Sequence, residues 1–461
     1  MNVCMQAVEA LLHVQPLAVT GRVVALRGLS VLVQDLPLAV GSLVRISRAT
    51  FAGDAGMLGE IVGFADGQAV VMMLGQSAGI QPGDCVLGLH STPTINVGDS
   101  MLGRVIDGLA RPVDGLGQMH GLSPRPLMPE PMRALSRKRV TEPMRTGLRA
   151  IDVMTPLGRG QRLGIFAGPG VGKSTLLGSL ARNSECDVAV LALIGERGRE
   201  VKDFVHDVLG EEGMKRAVVV AATGDESPLM RIRAANVALS VAEHFRDNGR
   251  HVLLMLDSLT RFSHAHRQVG LSVGEPPTTK GYTPGVFAAM ARLLERAGQL
   301  EQPAPDATGA VRKQGSITGL FTILVEGDET TEPVSDAARG ILDGHLMLSR
   351  HLAQKNHYPA IDVLDSVSRV ASDVADKEHD KARRQLSRLM AAYRDIEDLV
   401  QIGAYAKGAS VESDVAIAFY PRIRELLQQG TRENEPWAAV RAKAIRLAME
   451  ATTALAGPGK R

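Results

Sequence analysis

Hydrophobic and polar positions divide the chain into stretches of different period. Between residues 20 and 90, short apolar runs (GRVVALRG, LSVLVQD, SLVRISR, GEIVGF and GQAVVMMLG) are separated by Gly, Asp and Pro. No 3.6-residue period links them, so they predict strands, and their density predicts a small closed β-barrel. Strand spacing alone leaves open an unclosed sheet packed on the next domain. Residues 91–135 are rich in Gly and Pro and read as a linker. From about residue 150 the runs QRLGIFAG, DVAVLALIG, RAVVVAATG, HVLLMLD and SITGLFTILVEG are almost wholly apolar, most of them separated by helical stretches. That is the pattern of a parallel sheet buried on both faces. Further on, Leu386, Leu389, Met390, Tyr393, Ile396, Leu399 and Val400 recur at helical spacing. Asn434 and Pro436 stand at a cap and an early helical position ahead of WAAVRAKAIRLAMEATTAL. The expected chain is therefore α/β: a segment 1–19, a barrel over 20–90, a parallel-sheet domain over 91–370 and a helical domain over 371–461.

Composition narrows the function. At 461 residues the chain exceeds one simple core. A net charge of +2 provides no basic field for nucleic acid or anionic membrane. Aromatics make up 3% of the chain, and residues 20–90 hold only Phe51 and Phe64, too few for a base-stacking groove. Cys4, Cys85 and Cys186 are too scattered for a disulfide framework or a zinc site, which points to a reducing compartment. Residues 1–19 lack Lys and Arg and are broken by His13, Gln15 and Pro16, unlike a secretory signal. The apolar run Val252–Leu256 is far short of a membrane span. The expected location is cytoplasmic, with any membrane attachment made through partners.

The chemistry centres on AGPGVGKS, residues 167–174, between an apolar strand and an apolar helix. Gly168, Gly170 and Gly172 let backbone N–H groups curl around phosphate oxygens, and the helix start adds its dipole. Lys173 supplies a charge to the β- and γ-phosphates, and the Ser174 hydroxyl is a ligand for Mg²⁺. The expected ATP-binding set is Gly168, Pro169, Gly170, Val171, Gly172, Lys173, Ser174 and Thr175. The first glycine of the general pattern is replaced by Ala167, which is tolerable if φ there is negative.

Two acidic residues follow other apolar strands. Asp257 closes HVLLMLD, where a carboxylate faces the ligand crevice and suits a second magnesium-site residue. Glu196 in GERGRE would enter the same crevice and polarise an attacking water. Arg197 is a candidate catalytic cation, although a Glu–Arg pair after a strand equally fits a solvated surface pair.

GDSMLGRVIDGLARPVDG, AGPGVGKST, GERGRE, LLMLDSLTR and YPAIDVLDSVSR occur in that order over nearly the whole chain. Together they resemble the rotary ATP synthase alpha and beta subunits and their export-ATPase relatives. The resemblance implies a RecA-like P-loop domain, with Glu196 as the catalytic carboxylate and Asp257 as the magnesium-site acid. It makes Tyr358 the aromatic on adenine and Arg369 the arginine inserted into a neighbour's site. One chain then carries what beta and alpha subunits divide between them, which implies a homohexameric ring. GERGREVKDF, ATGDESPLMRIRAA, GEPPTTKGYTPGVF, GSITGLFTILVEGDE and IGAYAKGAS look like the flagellar and type III secretion branch. That branch implies ATP hydrolysis coupled to chaperone release and substrate loading, with a central-stalk protein in the pore. GEPPTTKGYTPGVF would line that pore, unless it is an ordinary surface loop. Both the flagellar and the injectisome systems share these motifs, and overall resemblance favours the flagellar one. A Rho-like translocase is disfavoured by the missing aromatic groove. Ala7, Val8, Leu11 and Leu12 would form one face of a short N-terminal helix, either docking a stator-like regulatory protein or folding onto its own barrel.

Overall fold

A computed structural model describes residues 18–47, 56–90, 93–301, 315–325 and 332–456. The expected helix at Ala7–Leu12 and Phe51 lie outside the described residues.

Six strands form the N-terminal unit: β1 (Thr20–Arg27), β2 (Ser30–Gln34), β3 (Leu43–Ser47), β4 (Met57–Ala65), β5 (Gln68–Met73) and β6 (Cys85–His90). They close in the order β1-β2-β5-β4-β3-β6. Alternate residues such as Val23, Val33, Ile46, Ile61 and Val71 point inward and fill the barrel. β6 is absent from the runs picked out in the sequence, because CVLGLH is short and interrupted by Gly88. Closure depends on it, since it pairs with both β1 and β3. A Cβ at Gly88 would collide with Leu38 Cδ1, so the interruption is itself a packing requirement.

The central sheet contains β7 (Val105–Ile106), β8 (Arg162–Ala167), β9 (Val188–Glu196), β10 (Ala217–Thr223), β11 (His251–Asp257), β12 (Ser316–Leu324), β13 (Gly344–Leu348) and β14 (Ile361–Ser368). Their order is β14-β13-β8-β12-β11-β9-β10-β7, parallel except for β14, which runs antiparallel to β13. Both faces are covered. Val188, Val190, Ala192 and Ile194 of β9 enter one core, and Ala189, Leu191 and Leu193 enter the other. On the first face lie α2 (Pro228–Asp247), α3 (Leu259–Ser272) and α4 (Pro284–Glu295); on the second lies α1 (Lys173–Asn183).

The stretch 91–135 is more than a linker. β7 pairs in parallel with β10 at the sheet edge, and Thr94–Val97 pairs with Ser123–Pro126. Runs of two to four residues among Gly and Pro carry no readable period, and tertiary contacts order them instead. Arg104 grips the Asp114 carboxylate at 2.7 Å, and the Val105 and Leu116 N–H groups donate to the same side chain.

The C-terminal helices are α5 (Lys377–Gln401), α6 (Val411–Leu427) and α7 (Trp437–Ala456). Asp376 caps α5 by accepting from the N–H groups of Glu378 and His379. The Pro436 carbonyl accepts from Val440, so Pro436 sits at the start of α7, with Asn434 outside it. Leu386, Leu389, Ile423 and Ala444 share one apolar cluster with the α1 residues Leu176, Leu177 and Leu180. The three helices pack on the short helix Arg149–Met154, and α5 also meets β14.

Candidate nucleotide site

The site sits at the C-terminal edge of β8, β9, β11 and β12. Ala167 remains a strand residue in register with Leu324, so no left-handed backbone is asked of it. The turn is made further on, where Gly170 and Gly172 have φ of 77° and 89°. Gly172 is the N-cap of α1 and offers no side chain to its first N–H groups. Those donors remain available to an anion. Val171 is buried and anchors the loop, while Pro169, Gly170, Ser174 and Thr175 are exposed above it.

Three of the predicted residues meet directly. Lys173 Nζ lies 2.5 Å from Asp257 Oδ1 and 3.5 Å from Glu196 Oε1. Asp257 is also held by Thr322, whose hydroxyl donates to Oδ1 at 2.7 Å. Glu196 has a second cation, Arg261, 3.2 Å from Oε2. Gly195, with φ of 71°, makes this pairing possible, because a Cβ there would stand 2.9 Å from Arg261 Cδ. Burial pushes the Glu196 carboxyl above its usual range, and Asp257 adds to that, against the opposing pull of Lys173 and Arg261.

Other predicted residues lie apart. Tyr358 is partly exposed and borders the loop, since a Cβ built on Gly172 would lie 3.4 Å from its ring. Arg197 is exposed and pairs with Glu200 at 3.3 Å, and no described contact joins it to Lys173 or Asp257. Arg369 is exposed at the opposite end of the sheet. Its N–H donates to the Asp343 carbonyl, and Asp343 is bonded to Arg162, the first residue of β8. The phosphate loop leaves the other end of that six-residue strand, about 17 Å away at ~3.3 Å per residue. In the same signature, the Ser366 hydroxyl donates to the Asp362 carbonyl and the Ser368 hydroxyl to the Pro156 carbonyl, both fastening the backbone.

Sequence reasoning missed Arg261 and Thr322. Arg261 ends the LLMLDSLTR motif, four residues beyond Asp257 on the first turn of α3, and that spacing was its available signal. Thr322 gives no local signal, because it reaches Asp257 only through the β11–β12 pairing. A magnesium ion fits the donor set, since Ser174 and Asp257 offer the hard oxygen atoms it prefers. Among the described residues no group of three or more His, Cys, Asp or Glu is placed to hold a metal alone, so water and phosphate oxygens would complete the shell.

Comparison with known proteins agrees with this geometry. Residues 17–90 match the beta-barrel domain of the ATP synthase alpha/beta family and residues 147–368 its nucleotide-binding domain. Residues 375–443 match the T3SS EscN ATPase C-terminal domain. The flagellum-specific ATP synthase of Pseudomonas aeruginosa is 45% identical over 94% of this chain and 93% of its own length. The type 3 secretion system ATPase of Xanthomonas euvesicatoria is 45% identical over 89% of this chain and 90% of its own. The assembled ATPase EscN of the enteropathogenic E. coli type III secretion system superposes with a TM-score of 0.84 at 37% identity, covering 93% of this chain and all of that one. EscN has also been solved in complex with its central stalk EscO. With the barrel, the phosphate-loop sheet and the C-terminal helices all matched, this chain belongs to the ATP synthase alpha/beta family, in the branch of ATP-hydrolysing flagellum-specific and type III secretion ATPases.

Proposed function

We propose that the chain hydrolyses Mg-ATP at the subunit interfaces of a homohexameric ring in a flagellar protein-export apparatus. The observation that carries the interface reading is the separation of Arg369 from its own phosphate loop across the length of β8. An exposed guanidinium at that end of the sheet can act on phosphate only in another chain's site. In the catalytic site, Lys173 exchanges its carboxylate partners for phosphate oxygens, and Tyr358 packs on adenine. A bound magnesium ion supplies charge neutralisation across the β- and γ-phosphates, and Ser174 and Asp257 would hold it. Glu196, oriented by Arg261, accepts a proton from the attacking water. Arg197, exposed and paired with Glu200, acts as a surface or intersubunit contact in this reading.

The interface reading is tested by mixing inactive variants. Lys173→Ala chains carry an intact Arg369, so they should partly rescue Arg369→Ala chains. A trans arginine is worth about 10³–10⁵ in rate, which leaves ample room to see rescue. Strictly additive activity of the mixture would place Arg369 outside a neighbour's site.

The flagellar assignment rests on overall resemblance, and the Xanthomonas relative keeps the injectisome as a second reading. Copurification from cells decides between them by which basal-body proteins accompany the chain. A stalk protein in the pore, export chaperones and substrates, and a regulatory protein bound by the N-terminal segment complete the proposal, with the ring cytoplasmic and peripheral to the inner membrane. Among the described residues no helix is long and apolar enough to cross a membrane.

A further inference from the structure

The connection between β13 and β14, residues 349–360, overhangs the phosphate loop and approaches it at both ends. At one end the Tyr358 ring borders Gly172; at the other, Arg350 Nη2 lies 3.6 Å from where a Cβ on Gly168 would stand. The sheet sets this level. β13 runs parallel to β8 with Met347 opposite Phe166, so Arg350 follows its strand much as Gly168 follows β8. Local bonds then fix where Arg350 starts. The Ser349 N–H donates to the Ala360 carbonyl at 2.8 Å, and the Ser349 hydroxyl caps the short helix Arg350–Gln354 by accepting from the Leu352 N–H. Asn356, with φ of 54°, turns the chain back, and the His357 N–H donates to the Leu352 carbonyl at 2.9 Å. From α6 and its end, the Gln429 N–H bonds the Tyr358 carbonyl at 2.9 Å and Gln428 Nε2 the Asn356 carbonyl at 3.3 Å.

Arg350 differs from the other cations near the loop. Lys173 and Arg261 are engaged by the carboxylates of Asp257 and Glu196, so those charges cancel among themselves. Arg350 is exposed, and among the described residues no carboxylate or carbonyl bonds its guanidinium. A planar guanidinium offers forked donors that match phosphate oxygen atoms. Gly168 places no side chain between that fork and the N–H groups of the loop. Strand order decides which phosphates it meets. β9 and β11, which carry Glu196 and Asp257, lie on one side of β8, and β13 lies on the other. Water attack on the γ-phosphate belongs to the Glu196 side, which leaves Arg350 the α- and β-phosphates that a phosphate loop cradles.

We propose that Arg350 is a phosphate-binding residue of its own chain's nucleotide site, contacting the α- and β-phosphates while Tyr358 packs on the base. This rests on the nucleotide reading of the loop and adds to it a second cation in cis. Arg350 and Arg369 then divide two tasks. The phosphates that Arg350 meets pass unchanged from ATP to ADP, so it binds the ground state and the transition state alike. Arg369 acts from a neighbouring chain on the group being transferred. Losing uniform binding raises KM more than it lowers kcat.

The test uses the full-length chain, Arg350→Gln and Mg-ADP as the probe. The side chain is exposed and Ser349 makes the helix cap, so the variant should unfold at the wild-type temperature. Calorimetry should find Mg-ADP bound about tenfold more weakly, the loss expected for one hydrogen bond to a charged group. Arg350→Lys keeps a point charge without the fork and should fall between the two. In steady state the KM for ATP should rise by a similar factor, with kcat falling much less. Salt supplies a readout that a merely structural role would not move. The gap in Kd between wild type and Arg350→Gln should narrow from about 0.1 M to about 1 M salt, as screening weakens an exposed charge. A Kd unchanged by Arg350→Gln, or a gap that salt does not narrow, overturns the assignment of Arg350 alone. Mg-ADP that fails to bind wild type, or binds Lys173→Ala equally well, overturns the nucleotide reading of the loop and this assignment with it.

Discussion

At the scale of single residues, the proposed roles separate holding phosphate from activating water. Lys173→Ala should abolish productive nucleotide binding, because no other described cation reaches both Asp257 and Glu196 from within the loop. Glu196→Gln should keep ATP binding and lose turnover. A Glu196→Gln protein with near wild-type kcat would remove Glu196 from the base role. Arg261 provides a finer probe, because it lowers the pKa of a carboxylate that burial has raised. The base works ionised, so kcat should climb with pH through the Glu196 pKa. In Arg261→Gln that acid limb should move to higher pH as well as losing height. A loss of rate with an unmoved limb would mean that Arg261 acts elsewhere. The motif LLMLDSLTR displayed this arginine in the sequence, but its partner stands on a different strand, 65 residues earlier.

Single elements carry their own constraints. α1 crosses the segment Phe204–Leu209 so closely that a Cβ at Gly178 would collide with Val208 Cγ1. Gly178→Ala should cost about 1–3 kcal/mol by overpacking, and Val208→Ala in the same chain should recover part of it. Thermal unfolding of the single and double variants checks this, and additive losses would reject the contact. The 91–135 stretch is held by the Arg104–Asp114 pair. Burial opposes ionisation of Asp114, but the bonds from Arg104, Leu116 and Val105 prevail and hold its pKa down at about 2. A carboxylate depressed in the fold adds stability above its ordinary pKa near 4 and loses it as pH falls toward 2. Asp114→Asn should therefore destabilise at pH 7 and make little difference near pH 2, read by urea denaturation at the two pH values.

For the whole molecule, the described residues fix the barrel to the ATPase unit by a buried ion pair, a hydrogen bond from the Ser227 hydroxyl to the Leu74 carbonyl and an apolar seam. Arg233 of α2 is 2% exposed and bonds Glu60 of β4 at 2.6 Å, beside Met72, Leu74, Leu229 and Met230. Burial raises the Glu60 pKa against the pull of Arg233, so the carboxylate depends on its partner to stay charged. Arg233→Ala should cost about 3–5 kcal/mol by leaving that acid unpaired. Arg233→Met with Glu60→Gln should be milder. Limited proteolysis between barrel and ATPase unit measures it, and equal cleavage of both variants would show that the apolar seam and the Ser227 bond hold the domains. At the scale of assembly, specific ATPase activity should fall on dilution as Arg369 leaves the neighbouring site. Concentration-independent activity would contradict that arrangement.

The order of elements and the phosphate loop were legible in the sequence because both are written locally. Period-2 and period-3.6 patterns reflect which side of an element meets the core, and three glycines followed by Lys-Ser can be read within eight residues. Tertiary structure decided what depends on distant partners. β6 exists because β1 and β3 both require a neighbour, and β7 because β10 offers an edge. Thr322 and Arg261 join the site through strand pairing and the absence of a side chain at Gly195. The resemblance proposed a role for Arg369 in a neighbour's site, and the antiparallel course of β14 sets it at the far end of the sheet from its own phosphate loop. A local pattern records only each residue's immediate surroundings, whereas these placements are fixed by how strands dozens of residues apart are ordered and directed.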